Sequence, residues 1–165
     1  MLHTAICMQI SRVFKQAGAH VRQEVPIPEF TLDIPPPPAY DPDDVDPEEQ
    51  AHAADAIMDV VAHLPTGEEY LFDASIRNPL AQRYALAAFS RYGFAADCGE
   101  QDKRHRYPLT KGKKVEPCVV ESFGRIGSHF LQVLDQASHL TRKYQTDLAG
   151  SNRNLKDEWL TDISA

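Results

Sequence analysis

Asp59 and Asp73 each interrupt a run of apolar residues that otherwise reads as a buried strand. In Tyr70-Leu71-Phe72-Asp73-Ala74-Ser75-Ile76 the side chains alternate, with Tyr70, Phe72, Ala74 and Ile76 on one face and Asp73 in mid-strand on the other. Asp59 breaks Ile57-Met58-Asp59-Val60-Val61 in the same way. A carboxylate in such a place needs a counter-charge or a metal ion, because burying it alone is costly. Pro65-Thr66-Gly67 reads as a turn, and a hairpin folded there sets Asp59 roughly opposite Asp73. Two carboxylates on neighbouring strands make the hard oxygen site that Mg2+ prefers. The other reading open to either acid is an ordinary ion pair with Arg or Lys. A third group follows in Glu100-Gln101-Asp102-Lys103-Arg104-His105-Arg106-Tyr107, where Glu100, Lys103 and Tyr107 share one helical face with Ala96 a turn earlier. With that face packed over the sheet, Lys103 reaches the acids, and an ammonium there can orient attacking water or stabilise a charged phosphorane. A surface ion pair between Glu100 and Lys103 is the competing reading.

The elements that must position these residues follow from periodicity and punctuation. Residues 2–17 place Leu2, Ile6, Ile10, Val13 and Phe14 at helical spacing, and Gly18 stops the helix. Residues 19–26 suit a first strand, 56–64 a second and 70–76 its hairpin partner. Asn78-Pro79 reads as a helix start, Asn as N-cap and Pro in the first helical position, for a helix running to about residue 92. A second helical stretch covers about 95–107, a buried strand 115–123, and a long amphipathic helix 127–148. The expected fold is α/β: a four-stranded mixed sheet flanked by helices, in the αβββαβ order of the restriction-endonuclease-like core. One domain over residues 1–150 is expected, with a proline-rich acidic loop at 28–50 and a frayed tail at 151–165.

Composition narrows the function classes. No run of about 18 apolar residues is present, so no membrane span is expected. The N-terminal residues show no basic region followed by an apolar block, so no secretory signal is expected either. Cys7, Cys98 and Cys118 are widely spaced and odd in number, which reads as buried thiols in a reducing compartment rather than a disulfide framework or zinc site. The 7 His and 3 Cys show no spacing suited to a zinc or thiol enzyme. The net charge of −7 is unevenly spread: 29–50 holds eight acids and no Lys or Arg, and without them the remainder stands at +1. Between 101 and 114, Lys103, Arg104, Arg106, Lys111, Lys113 and Lys114 face only Asp102, a basic patch suited to phosphate contacts.

Four segments resemble the restriction-like endonuclease domains of LINE-type retroelements, members of the PD-(D/E)xK nuclease superfamily. Asp59 and Asp73, with thirteen residues between them, match the family's paired aspartates, although Asp55 competes for the first position. Phe72-Asp73-Ala74-Ser75-Ile76-Arg77-Asn78-Pro79 is similar to its "DVTVTHP" strand. Ala96, Glu100, Lys103 and Tyr107 match its alanine and "E..K...Y" helix. Val115-Glu116-Pro117-Cys118-Val119-Val120-Glu121-Ser122-Phe123-Gly124 is similar to its "FVPLVVETFG" strand. Ser75 stands at the family's usual strand lysine, so the resemblance implies that Lys103 supplies the ammonium from the helix.

The resemblance implies a DNA endonuclease dependent on Mg2+ or Mn2+, nicking phosphodiester bonds. Asp59 and Asp73 are the expected metal ligands, with Lys103 assisting water attack. Glu100 and Tyr107 are expected to position Lys103, Glu24 to add an acid at the end of the first strand, and Glu121 to act structurally or behind the metal ligands. Arg104, Arg106, Lys111, Lys113 and Lys114 are the expected DNA contacts. The implied partners are DNA and a reverse-transcriptase domain or protein of the same element, and the implied location is intracellular, nuclear in a eukaryote. With no reverse-transcriptase segment or CCHC knuckle in these residues, a detached, truncated or domesticated domain is expected. The alternative is an inactive remnant that serves as a DNA-binding or protein-interaction module. If the acidic loop competes with DNA for the basic patch, deleting 29–50 should tighten duplex binding at low salt. The gain should fade as salt rises, since screening acts over about 10 Å at 0.1 M. Equal affinities of the two proteins for a labelled duplex at low salt would rule out that role.

Overall fold

The computed structural model describes residues 2–30, 56–110, 112–144, 157–158, 161 and 163. The acidic loop beyond Phe30, Asp55, Lys111 and most of the C-terminal tail lie outside the described residues.

Ile6, Ile10, Val13 and Phe14 recur at helical spacing and are all buried along the inner face of α1 (Leu2–Gln16). The chain turns at Gly18 and enters β1 (His20–Pro26), followed by β2 (Ile57–His63) and β3 (Glu69–Arg77). Two short helices follow, α2 (Gln82–Ser90) and α3 (Phe94–Arg106). They form the crossover that a parallel strand requires, delivering β4 (Val115–Glu121), and α4 (Ser128–Tyr144) closes the described order. The protein is thus α/β, with an open four-stranded mixed sheet in the order β1-β2-β3-β4: β1–β2 and β2–β3 are antiparallel and β3–β4 parallel. Pro117 is tolerated in β4 because that strand lies at the sheet edge, where one side of the backbone needs no ladder partner. No helix among the described residues is long and apolar enough to cross a membrane.

Strand alternation divides the core. Val60, Ala62, Phe72, Ala74, Cys118 and Val120 face α1 and α4 in the larger apolar cluster, where the Phe14 and Phe72 rings are 4.6 Å apart. On the opposite face Val61, Leu71 and Val115 pack with Ile27, Phe30 and Tyr107. Phe30 ends a 3-10 turn (Pro28–Phe30) and sits edge-on to Tyr107 at 5.6 Å. Pro28, Glu29 and Phe30 therefore do not belong to the loop expected at 28–50, because this aromatic ring belongs to the core; a deletion that spares the ring removes 31–50.

Helix boundaries move where side-chain capping differs from expectation. Asn78 does not cap a helix: its Oδ1 accepts the Leu80 N–H at 3.0 Å in a tight turn, and α2 begins only at Gln82. α2 stops at Ser90, short of the expected end near residue 92, and Gly93, at φ 79°, serves as the N-cap residue of α3. Two carboxylates supply the real caps. Glu121 Oε1 accepts the N–H groups of Ala95 and Ala96 at 3.1 and 3.2 Å, anchoring α3 to β4. Glu100 in turn accepts from His129 and Phe130, both at 2.9 Å, anchoring α4 to α3. Each places negative charge where helix N–H groups lack partners and the helix dipole is positive.

Gly127 makes the second anchor possible, because a Cβ there would collide with the Glu100 carboxylate and approach the Val119 carbonyl to 3.2 Å. The carboxylate cannot swing aside without releasing two N–H groups. Gly127→Ala should therefore cost about 1–3 kcal/mol, the usual range for overpacking. A lowered urea midpoint is the expected result, and an unchanged one would show that the Glu100 anchor is dispensable.

Candidate active site

The β2–β3 ladder runs from His63↔Glu69 to Val60↔Phe72, and the same register puts Asp59 level with Asp73. There the backbone pairing gives way to a side chain. Asp59 Oδ2 accepts the Ala74 N–H at 2.6 Å, a short charge-assisted bond in place of a ladder bond. Beyond it β3 continues beside β4, through Asp73↔Pro117 to Arg77↔Glu121. The two aspartates thus stand where β2 parts from β3, and alternation turns Asp73 away from α1 and toward α3.

Packing of α3 brings the cation. Ala95, Ala96, Gly99, Glu100 and Lys103 form its buried face. Gly99 permits close approach, since a Cβ there would meet the Arg77 Nε and a Val119 methyl at 3.0 Å. Lys103 Nζ reaches Asp73 Oδ1 at 2.9 Å, with side chains only 2% and 11% exposed. Tyr107, one turn further, is hydrogen-bonded to Asp73 through its hydroxyl; burial, then the charge of Asp73, pushes that hydroxyl's pKa far up, so it stays protonated. Ser75 Oγ, on the same face of β3, is buried with no hydrogen-bond partner among the described residues.

The expected site residues therefore separate. Lys103 and Tyr107 meet Asp73, and Asp59 stands level with Asp73 in the strand register. Glu100 lies on the same helical face, but its carboxylate caps α4 instead of positioning Lys103. Glu121 caps α3, a structural role. Glu24 lies within β1, not at its end; it is exposed, holds a left-handed φ of 51° and is level with Asp59 across the β1–β2 register.

The basic patch is partly neutralised from within. Lys113 lies 3.4 Å from Glu29 and 3.5 Å from Glu69, and Lys114 lies 2.9 Å from Glu116. Arg104 is exposed, and the Arg106 guanidinium sits 5.2 Å from the Tyr107 ring centre. Glu29, the one described acid of the acidic segment, thus already contacts the patch.

Two groupings have no counterpart in the sequence expectations. His3 Nε2 lies 3.3 Å from Asp59 Oδ2 and 3.8 Å from Cys7 Sγ. Ligand atoms of His3, Cys7 and Asp59 all fall within 4.8 Å of one another, a group able to hold a metal ion. The expectation of buried thiols holds for Cys7 and Cys118, while Cys98 is only half-buried; the signal for the His3–Cys7–Asp59 grouping was the i,i+4 spacing of His3 and Cys7 on α1. Hydrogen bonds to Asp59 and then Cys7 push the His3 pKa up to about 11, making it a cation at neutral pH, while burial raises the Cys7 thiol. The second grouping joins His129 Nε2 to Glu116 Oε2 at 2.5 Å. Burial alone would raise Glu116, but His129 and Lys114 outweigh it and hold the carboxyl below its usual range.

Comparison with family models, curated proteins and solved structures yields no match.

Removing one partner of a buried ion pair leaves the other charge without compensation, which costs about 3–5 kcal/mol. Lys103→Met should destabilise the protein on that scale in urea denaturation. Adding Asp73→Asn to it should restore much of the loss, because the double variant buries no lone charge. A Lys103→Met protein as stable as the parent would show that the pair is not buried in solution.

Proposed function

We propose that this chain is a metal-dependent endonuclease domain with a restriction-endonuclease-like core, nicking phosphodiester bonds of DNA. The observation that carries this reading is the buried Lys103–Asp73 pair, reached at the point where β2 leaves β3 and Asp59 stands level with Asp73. Two carboxylates on adjacent strands fit Mg2+ or Mn2+, which take hard oxygen donors, and Asp59 and Asp73 would hold the ion. When bound, the ion supplies stabilisation of the negative charge that builds on the scissile phosphate. The chain's own groups do the rest. The Ala74 N–H fixes the orientation of Asp59, and the Tyr107 hydroxyl and Lys103 ammonium fix that of Asp73. The Lys103 ammonium, buried and held by Asp73, is placed to orient a water or offset charge on the phosphate. Arg104, Arg106, Lys113 and Lys114, with Lys111 outside the described residues, would contact the DNA backbone. The resemblance supplies the retroelement context and a reverse transcriptase as partner.

A second reading has its own support. Asp73 is balanced by Lys103 and Asp59 by His3, so each acid has a counter-charge without an ion. Leu86 and Phe89 of α2 are 92% and 97% exposed, an apolar surface suited to protein contacts. These features fit an inactive remnant that binds DNA or another protein.

A supercoiled-plasmid assay in Mg2+ separates the two. Nicking should depend on the ion and fall by on the order of 10² or more in Asp73→Asn, a loss typical of removing one charge-stabilising group. Equal rates for parent and variant would assign the activity to a contaminant. Duplex binding without nicking by the parent would establish the second reading.

A further inference from the structure

We propose that His3, Cys7 and Asp59 form a binding site for a thiophilic divalent ion of the zinc class, and that such an ion blocks the Mg2+ site by taking Asp59 from it. His3 and Cys7 are four residues apart on α1, so one turn of helix stacks imidazole and thiol on the same face. Asp59 meets them from β2, held in place by its bond to the Ala74 N–H. The donor set is one nitrogen, one sulfur and one oxygen, which suits Zn2+ and not Mg2+; the ion binds by displacing one proton from His3 and one from Cys7 to solvent, so it replaces the His3–Asp59 ion pair.

The spacing suits it as well. Ligand atoms at tetrahedral angles around Zn2+, with bonds of about 2.0–2.3 Å, lie about 3.3–3.6 Å apart. Here His3 Nε2 lies 3.3 Å from Asp59 Oδ2 and 3.8 Å from Cys7 Sγ. Three protein ligands leave a fourth position open for water or another donor. Cys7 is buried among apolar side chains, while the side chains of His3 and Asp59 are 23% and 17% exposed, so an ion has a path in.

Direct binding needs no catalytic assay. The purified chain, stripped by a chelator, is titrated with Co2+ as a spectroscopic stand-in for Zn2+. One equivalent should produce a thiolate-to-cobalt charge-transfer band, and Zn2+ should displace it. Cys7→Ser should abolish the band. His3→Gln should weaken Co2+ binding by roughly tenfold or more while preserving the circular dichroism of the parent. Asp73→Asn and Cys98→Ser should keep the band, which separates this site from the other acid proposed for Mg2+ and from the half-buried thiol of Cys98. Absence of a band in the parent protein, or a band that survives Cys7→Ser, would overturn the site.

The regulatory half rests on the endonuclease reading. Zn2+ at equimolar protein should inhibit Mg2+-dependent nicking in the parent, and Cys7→Ser should raise the inhibitory Zn2+ concentration at least roughly tenfold, following loss of one ligand. Inhibition unchanged by Cys7→Ser would refute the competition for Asp59. A parent that binds Co2+ but never nicks DNA would refute the endonuclease and the competition together and leave the metal site standing.

Discussion

Placing Lys103 against Asp73 imposes the main demand on the rest of the molecule. An ammonium and a carboxylate 2.9 Å apart and nearly out of solvent are tolerable only if their geometry is held closely, since neither is well solvated if the other moves. Much of the surrounding structure meets that demand. Ala95, Ala96 and Gly99 give α3 a small-residue face, so its backbone lies close to β3 and β4 and the long lysine side chain reaches the strand. Tyr107 closes the site on one side and is packed by Phe30.

The helices are held by charge rather than by their own cap residues. Ala81 and Gly93, which begin α2 and α3, offer no side-chain cap. Glu121 reaches from β4 to the start of α3, and Glu100 reaches from α3 to the start of α4. Burial raises the pKa of Glu100, while the two N–H bonds and His129 oppose that rise. This pair of anchors links sheet, α3 and α4 in series, so the orientation of the lysine-bearing helix depends on a glutamate four strand pairs beyond Asp73's own neighbour, Pro117. Buried acids that resemble catalytic groups in sequence are here used as helix anchors.

Asp59 differs from Asp73 in how it is satisfied. It lies where the β2–β3 ladder has stopped, and its carboxylate serves as acceptor for the Ala74 N–H of the neighbouring strand. That leaves its second interaction to α1, through His3. The two acids, level in register, therefore look to different helices: Asp73 to α3 and Asp59 to α1. Two carboxylates level in register are thus each held from a different helix.

Periodicity and punctuation were enough to locate α1, the four strands, the α3 stretch and the long last helix, because the 2-residue and 3.6-residue repeats record which side of each element is buried. They also placed Asp59 opposite Asp73, since a tight turn at 65–67 fixes the hairpin register, and put Lys103 and Tyr107 on one face. Local sequence did not reveal where α2 begins, because Asn78 has two backbone N–H groups within reach and a turn won over a helix cap. It did not distinguish the tasks of Glu100, Lys103 and Glu121 either: all three are buried charges in one region, and only the docking of α3 and α4 decides which meets a helix N-terminus and which meets a carboxylate. The joining of His3 and Cys7 to Asp59 was likewise decided by the tertiary structure. Their i,i+4 spacing specifies a shared helical face, but which strand lies beneath that face depends on long-range packing, and short-range spacing carries no information about it.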